Sequence, residues 1–133
     1  MLQNQCKGAL FAAQAGRSLI ADDMGLGKTI QAIAAVEILA GTVGLDRVLI
    51  ICPTSLKHQW KQEIEKFCSR SVQVVEGFLA KRAGLYTSDS FYKVTNYDVI
   101  HRDLDLIRNW APEMIILDEA GTTGKELFRS YDR

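Results

Sequence analysis

The sequence is poor in the residues that build disulfides and metal centres. It holds three cysteines, Cys6, Cys52 and Cys68, and two histidines, His58 and His101, in 133 residues. The cysteines are odd in number and none forms a CxxC pair, so neither a disulfide framework nor a zinc site is indicated. Neither histidine has a ligand partner at useful spacing. We therefore assign the histidines no role and expect the free thiols of an intracellular protein.

The chain also has no excess of charge and no long apolar run. Its 16 basic and 16 acidic residues give a formal net charge of zero. No global basic field points to nucleic acid, although this does not exclude a local basic face. Apolar runs such as 48–52 are too short to span a bilayer, and we recognise no signal peptide. The length fits one domain with a modest core, and we expect no membrane association.

Strand and helix patterns alternate along the chain with short connections. Strand patterns occupy 17–21, 47–52, 71–77, 91–97 and 113–118, and helical patterns occupy 4–15, 28–41, 55–67, 78–84 and 97–109. This alternation predicts an α/β fold, a three-layer arrangement with helices on both faces of a parallel sheet.

Several local details follow from the same patterns. The first long helix should bury a stripe of Ile30, Ile33, Ala34 and Ile38, with Gly41 as its C-cap. Thr54 or Ser55 should cap the next helix, whose buried face should carry Leu56, Trp60, Ile64 and Phe67. Trp60 is therefore a core residue rather than a base-stacking one. Lys57, Lys61 and Lys66 mix with Glu63 and Glu65, which predicts a solvated face.

The segment DDMGLGKT, residues 22–29, lies where a phosphate-binding loop belongs, after a strand and at the start of a helix. Gly25 and Gly27 allow backbone N–H groups to turn towards phosphate oxygens at the helix N-terminus. Lys28 would neutralise the β- and γ-phosphates, and the Thr29 hydroxyl would bind Mg²⁺. Asp22 stands where the strict P-loop pattern has its first glycine. The alternative is a glycine-rich turn with an incidental Lys-Thr pair.

An acidic pair, Asp118 and Glu119, follows the last apolar strand pattern. Asp118 would hold Mg²⁺ through water, and Glu119 would orient or deprotonate the attacking water. Both would lie at the carboxyl edge of the sheet, where open α/β sheets bind ligands. Alone, such a pair is more often a solvated strand end, but with the phosphate loop it predicts an ATP site.

Four segments together resemble the first RecA-like lobe of the SNF2-type, helicase-like ATPases of helicase superfamily 2. They are LIADDMGLGKTIQAIA, VLIICPTSLKHQWKQEIEKF, KVTNYDVIHRD and IILDEA, in the order and spacing of that family over about residues 2–120. The resemblance implies a RecA-like P-loop lobe, ATP and Mg²⁺ as cofactors, duplex DNA as a partner, and a cytoplasmic location on the DNA of a nucleoid or nucleus. The resemblance also implies that an acidic residue is usual at the position of Asp22.

The resemblance also implies roles for individual residues. The nucleotide-binding residues would be Gln5 at the adenine, Asp23, Met24, Gly25, Leu26, Gly27, Lys28 and Thr29. Lys28, Asp118 and Glu119 would be catalytic, with Thr29 and Asp118 holding Mg²⁺. Two loops, Pro53, Thr54 and Ser55 and then Thr95, Asn96 and Tyr97, would follow the DNA phosphate backbone. For Gln5 the alternative is a surface residue, since Asn4 stands where the family has an aromatic.

The resemblance stops at Gly121, where the family has Gln. We therefore divide the chain into a partial lobe at 1–120 and a divergent tail at 121–133, without the second lobe and its arginine finger. In RecA-like sheets the next strand separates the strands SLIA and MIILD. Here those strands should pair directly, be bridged by the tail, or leave an open edge that favours self-association.

Three functions would account for the phosphate loop. The first is the ATP-binding lobe of a DNA-dependent translocase, and the second is a truncated, catalytically inactive nucleotide- or nucleic-acid-binding module. The third, a small-molecule kinase, does not explain CPTSLKHQW or TNYD.

Overall fold

The computed structural model describes residues 18–21 and 26–118, with side chains from residue 29 onward. Five strands alternate with four helices and two 3₁₀ turns. In chain order they are β1 (Ser18–Ala21), α1 (Leu26–Val43), β2 (Val48–Cys52), the turn Thr54–Leu56, α2 (Lys57–Phe67), β3 (Val72–Val74), α3 (Leu79–Thr87), β4 (Tyr92–Asn96), the turn Tyr97–Val99, α4 (Leu104–Trp110) and β5 (Met114–Asp118). The predicted helix at 4–15 lies outside the described residues.

All five strands form one parallel sheet in the order β1-β5-β2-β4-β3. β1 pairs directly with β5, with Ser18 opposite Ile115 and Ala21 opposite Asp118. Of the three arrangements expected for SLIA and MIILD, direct pairing is therefore the one that occurs. Self-association stays a prediction, which sedimentation of the purified chain can test.

Helices cover both faces of the sheet, as the alternation predicted. Alternate residues of β2 point to opposite sides, because successive side chains of a strand face opposite ways. Val48, Ile50 and Cys52 pack with Ile33 of α1 and Trp60 of α2. On the other side, a second cluster joins the sheet to α3 and α4, and its members are Leu49, Ile51, Val75, Tyr86, Tyr97, Ile107 and Ile115.

The buried face of α1 differs from the predicted stripe. Ile33 is fully buried, but Ile30 is 38% and Ile38 65% exposed. The helix instead turns Ala32, Ile33 and Val36 to the sheet, with Leu39 and Ala40 packed against them. Since α1 is apolar nearly all round, its sequence alone does not specify which stripe meets the sheet. Gly41 lies inside α1, and Gly44, with φ +74°, takes the left-handed position that follows the helix.

The capping prediction for α2 was also wrong. A 3₁₀ turn at Thr54–Leu56 precedes the helix, and no side chain caps either element. The Thr54 hydroxyl instead contacts Asp98 and Asn96 across the sheet edge. Trp60 and Ile64 are buried as predicted, whereas Phe67, at the last turn, is 44% exposed.

None of the helices within 26–118 is long and apolar enough to cross a membrane.

Candidate nucleotide and nucleic-acid site

The carboxyl ends of the strands bring the candidate residues to one edge of the sheet. Ala21, the last residue of β1, lies opposite Asp118, the last residue of β5. Cys52, at the end of β2, lies opposite Asn96, at the end of β4. The end of β1 therefore lies beside Asp118, and the two predicted DNA loops follow β2 and β4. This edge is where open parallel sheets bind ligands.

The first turn of α1 carries the second half of the predicted phosphate loop. The helix begins at Leu26, so Gly27, Lys28 and Thr29 all lie in that turn, and Thr29 is buried. Free N–H groups and the positive end of the helix dipole at such a terminus favour phosphate. The side chain of Lys28 is outside the described residues, as are Gln5, Asp23, Met24, Gly25 and Glu119.

Asp118 is almost fully buried, with only 1% of its surface exposed. The indole Nε1–H of Trp60 donates a hydrogen bond of 2.7 Å to its Oδ2. The hydroxyl of Tyr97 donates one of 2.9 Å to its backbone carbonyl. Helical spacing identified Trp60 as core, but it did not reveal this bond. The available signal was chemical, because a buried indole N–H usually finds an acceptor.

The two predicted DNA loops touch each other. Asn96 Nδ2 donates to Thr54 Oγ1 over 2.9 Å, and Thr54 Oγ1 lies 3.4 Å from Asp98 Oδ2. Thr54 and Ser55 are exposed and Pro53 is half-buried, whereas Thr95, Asn96 and Tyr97 are all buried. The first loop thus presents side chains to solvent, while the side chains of the second lie inside the domain.

Lys57 differs from the solvated face predicted for it. It is buried, and its Nζ lies 3.2 Å from both the Val75 carbonyl and Asn96 Oδ1. Lys57 is buried because it is the first residue of α2, where the helix begins beside the carboxyl ends of the strands. Lys61 and Lys66 do lie at the surface, in ion pairs with Glu65 and Glu63.

Cys52 adds no reactive group to this edge. Burial, and then the charge of Asp118, raise the pKa of its thiol far above the ordinary value, and Lys57 lowers it by less. The thiol is therefore protonated at neutral pH and behaves as a small apolar core residue.

A helix that follows the first strand, and a buried acidic residue at the carboxyl edge of a parallel sheet, are typical of α/β domains that bind ligands at that edge. Comparison with known proteins identifies the family: the profile of the SNF2-related domain matches residues 4–130. The chain belongs to this family.

Relatives agree with that assignment, and a solved structure shares the fold. The chain is 34% identical over 109 residues to a chromodomain-helicase-DNA-binding protein 1-like from Danio rerio, covering 77% of this chain and 11% of the relative. It is 31% identical over 134 residues to the chromatin-remodeling ATPase INO80 of Candida albicans, covering 87% and 10%. The Sulfolobus solfataricus SWI2/SNF2 ATPase core in complex with dsDNA has the same fold, with a TM-score of 0.57, 23% identity, and coverage of 88% and 31%. The chain thus spans about a tenth of the length of these two relatives.

Proposed function

We propose that this chain forms the ATP-binding lobe of a DNA-dependent ATPase that moves on duplex DNA. One observation carries the proposal: β1 and β5 pair in a register that sets Ala21 opposite Asp118, which supports a site where the segment after β1 and the acidic pair act together. Each segment has chemistry the other lacks, because phosphate needs N–H groups and Lys, whereas Mg²⁺ needs oxygen ligands.

The donor set available at this edge suits Mg·ATP. Thr29 brings a hydroxyl and Asp118 a carboxylate, both hard oxygen ligands, and Mg²⁺ usually takes one or two protein ligands besides phosphates and water. When bound, the ion would neutralise charge on the phosphates. Lys28 would add its charge there, Glu119 would orient the attacking water, and Gln5 would contact the adenine. Asp23, Met24, Gly25, Leu26 and Gly27 would supply backbone contacts.

Duplex DNA would run along the loops that follow β2 and β4. The exposed hydroxyls of Thr54 and Ser55 suit phosphate contacts, which position a protein without reading sequence. Because Thr95, Asn96 and Tyr97 are buried, they would act mainly by shaping their loop and Thr54. The proposed location is on DNA, in a nucleus or nucleoid.

Titration with a fluorescent ATP analogue tests the nucleotide site. We expect weak, Mg²⁺-dependent binding by the wild type and none by Lys28→Ala. Lys66→Ala is the matched control, because Lys66 is exposed in the last turn of α2. Equal affinity of Lys28→Ala and the wild type would overturn the proposed site.

Hydrolysis distinguishes the proposal from its alternative, a nucleotide- or nucleic-acid-binding module without activity. The alternative rests on Gly121, where the family has Gln, although the family profile continues past this position to residue 130. The 133 residues also include no segment that we recognise as an arginine finger, a group worth roughly 10³–10⁵ in rate. We expect the purified chain to bind nucleotide but hardly to hydrolyse it. Robust DNA-stimulated hydrolysis would refute that expectation.

A further inference from the structure

Asp118 is held from two sides, by Trp60 on the helix that follows the first proposed DNA segment and by Tyr97 of the second. Trp60 lies on α2, just after the turn Thr54–Leu56, and Tyr97 follows β4 directly. Trp60 contacts the Asp118 carboxylate and Tyr97 its backbone carbonyl. All three side chains are less than 9% exposed.

The bond from Trp60 is suited to orient a carboxylate. An indole N–H only donates, so it stabilises the ionised acid, and bonds to a charged acceptor are the short and strong ones. The ring is packed in the core formed by α1, α2 and the sheet. The donor therefore cannot move without α2, and the 2.7 Å bond fixes where Oδ2 lies.

A second set of contacts joins the same segments to each other. Lys57, three residues before Trp60 on α2, lies 3.2 Å from Asn96 Oδ1, while Asn96 Nδ2 donates to Thr54. The loops after β2 and β4 thus share one polar network. Helix α2, which carries both Lys57 and Trp60, links this network to the carboxylate at the end of β5. A shift of the first loop would be transmitted to Asp118 through α2.

We propose that Trp60 is a positioning residue: its indole N–H holds the Asp118 carboxylate in place to bind Mg²⁺ and links that carboxylate to the segment 53–55. The inference rests on the proposed function, in which Asp118 is a Mg²⁺ ligand. The competing explanation is that Trp60 only fills the core and that its N–H has found a convenient acceptor.

Trp60→Phe separates the two explanations, because it keeps an aromatic ring in the core and removes the N–H. The Kd of a fluorescent ADP analogue is measured with Mg²⁺ and with excess EDTA. Loss of a group that orients a metal ligand typically costs about 10–100-fold in metal affinity. We expect Trp60→Phe to weaken binding in Mg²⁺ by that factor and to leave binding in EDTA unchanged.

Trp110→Phe is the matched control. It makes the same chemical change at the end of α4, where Trp110 lies near Ser90 and Phe91, at the edge where the strands begin. We expect its affinities to equal those of the wild type under both conditions. Urea unfolding of each variant shows whether the fold is retained.

A spectroscopic measurement on the wild type needs no variant to fold. With ¹⁵N-labelled tryptophan, the two indole N–H signals report Trp60 and Trp110 separately. We expect Mg²⁺ added to the ADP-bound chain to shift the Trp60 signal and not the Trp110 signal.

The outcomes separate this inference from the proposed function. If the wild type binds no nucleotide, the proposed function and the inference both fail. If it binds, the inference alone fails in three cases: Mg²⁺ dependence survives in Trp60→Phe, the variant loses binding equally in EDTA, or Mg²⁺ leaves the Trp60 signal unmoved.

Discussion

Lys93 gives the sharpest test of the physical reasoning, because its charged end is buried away from the proposed site. The side chain is fully buried in β4. Its Nζ lies 2.6 Å from Gln73 Oε1, 2.8 Å from Ser90 Oγ, and 2.7 and 2.9 Å from the carbonyls of Leu85 and Ser88. Those two carbonyls end α3, so the ammonium group acts as the C-terminal cap of that helix.

The magnitude follows from what Lys93→Met would leave behind. Hydrogen bonds to a charged group are worth about 1.5–3 kcal/mol each, and orphaned buried acceptors add a desolvation cost. Against this, burial lowers the pKa of Lys93 to about 8, with Asp89 raising it by less. Burial of the charge therefore costs roughly 3 kcal/mol. The ammonium group has three donors, so its bonds contribute about 4.5–9 kcal/mol in all. After the cost of burial is subtracted, we expect a net destabilisation of about 2–6 kcal/mol at pH 7, against about 5–15 kcal/mol for a whole domain.

The same shift predicts a pH dependence with a definite sign. The unfolded chain, with an ordinary lysine pKa of 10.5, binds more protons than the folded one between pH 8 and 10.5. Lys93 therefore adds stability as pH rises through that window, at up to about 1.4 kcal/mol per pH unit, and adds no slope below it. Burial raises the pKa of Tyr92 and of both described cysteines, which opposes this trend at high pH. These contributions are the same in the wild type and in Lys93→Met, so they cancel in the difference between the two free energies of unfolding.

Urea unfolding of both proteins at pH 7.0 and 9.5 measures the two effects together. We expect the wild type to gain roughly 1–2 kcal/mol over the variant between these pH values. Lys81→Met is the control, since Lys81 is exposed on α3, and it should change stability by less than about 0.5 kcal/mol. The reasoning would be refuted if Lys93→Met lowered the free energy of unfolding by less than about 0.5 kcal/mol. It would also be refuted if the difference in that free energy between wild type and variant did not change with pH.

Three further predictions concern stability and reactivity. Asp103 accepts two hydrogen bonds of 2.8 and 2.9 Å from Arg82, and both side chains are buried. Asp103→Asn should therefore lower the free energy of unfolding in urea by about 3–5 kcal/mol. A decrease of less than about 1 kcal/mol would contradict this. Gly77 has φ +94°, so Gly77→Ala should cost about 1–2 kcal/mol, and an unchanged midpoint would count against it. Buried Cys52 should react with iodoacetamide more slowly than half-buried Cys68. Site-resolved mass spectrometry measures both rates, and full labelling in urea is the control. Equal rates in the folded chain would disprove this prediction.

The order and type of the elements were predictable from local patterns. Apolar β-branched runs such as VLIIC are typical of strands buried on both faces, and the helices between them require a parallel sheet. The prediction for Trp60 also succeeded, because α2 has a polar face that leaves only one side for the core. The helix boundaries were less predictable, since α4 begins only at Leu104 and a 3₁₀ turn precedes α2.

The family pattern likewise needed no structure, since the glycines, Lys28, Thr29 and the acidic pair are recognised by residue type and spacing. The family pattern did not predict contacts between residues that are distant in the sequence. Trp60 and Asp118 are 58 positions apart, and their bond exists because α2 packs on one face of the sheet and its Trp60 reaches the end of β5. Lys57 and Lys93 look like surface lysines in the sequence, but each has its ammonium group among carbonyl and amide oxygens that other elements bring together. The direct pairing of β1 with β5 is of the same kind, because strand order depends on how the crossovers pack and not on any local pattern.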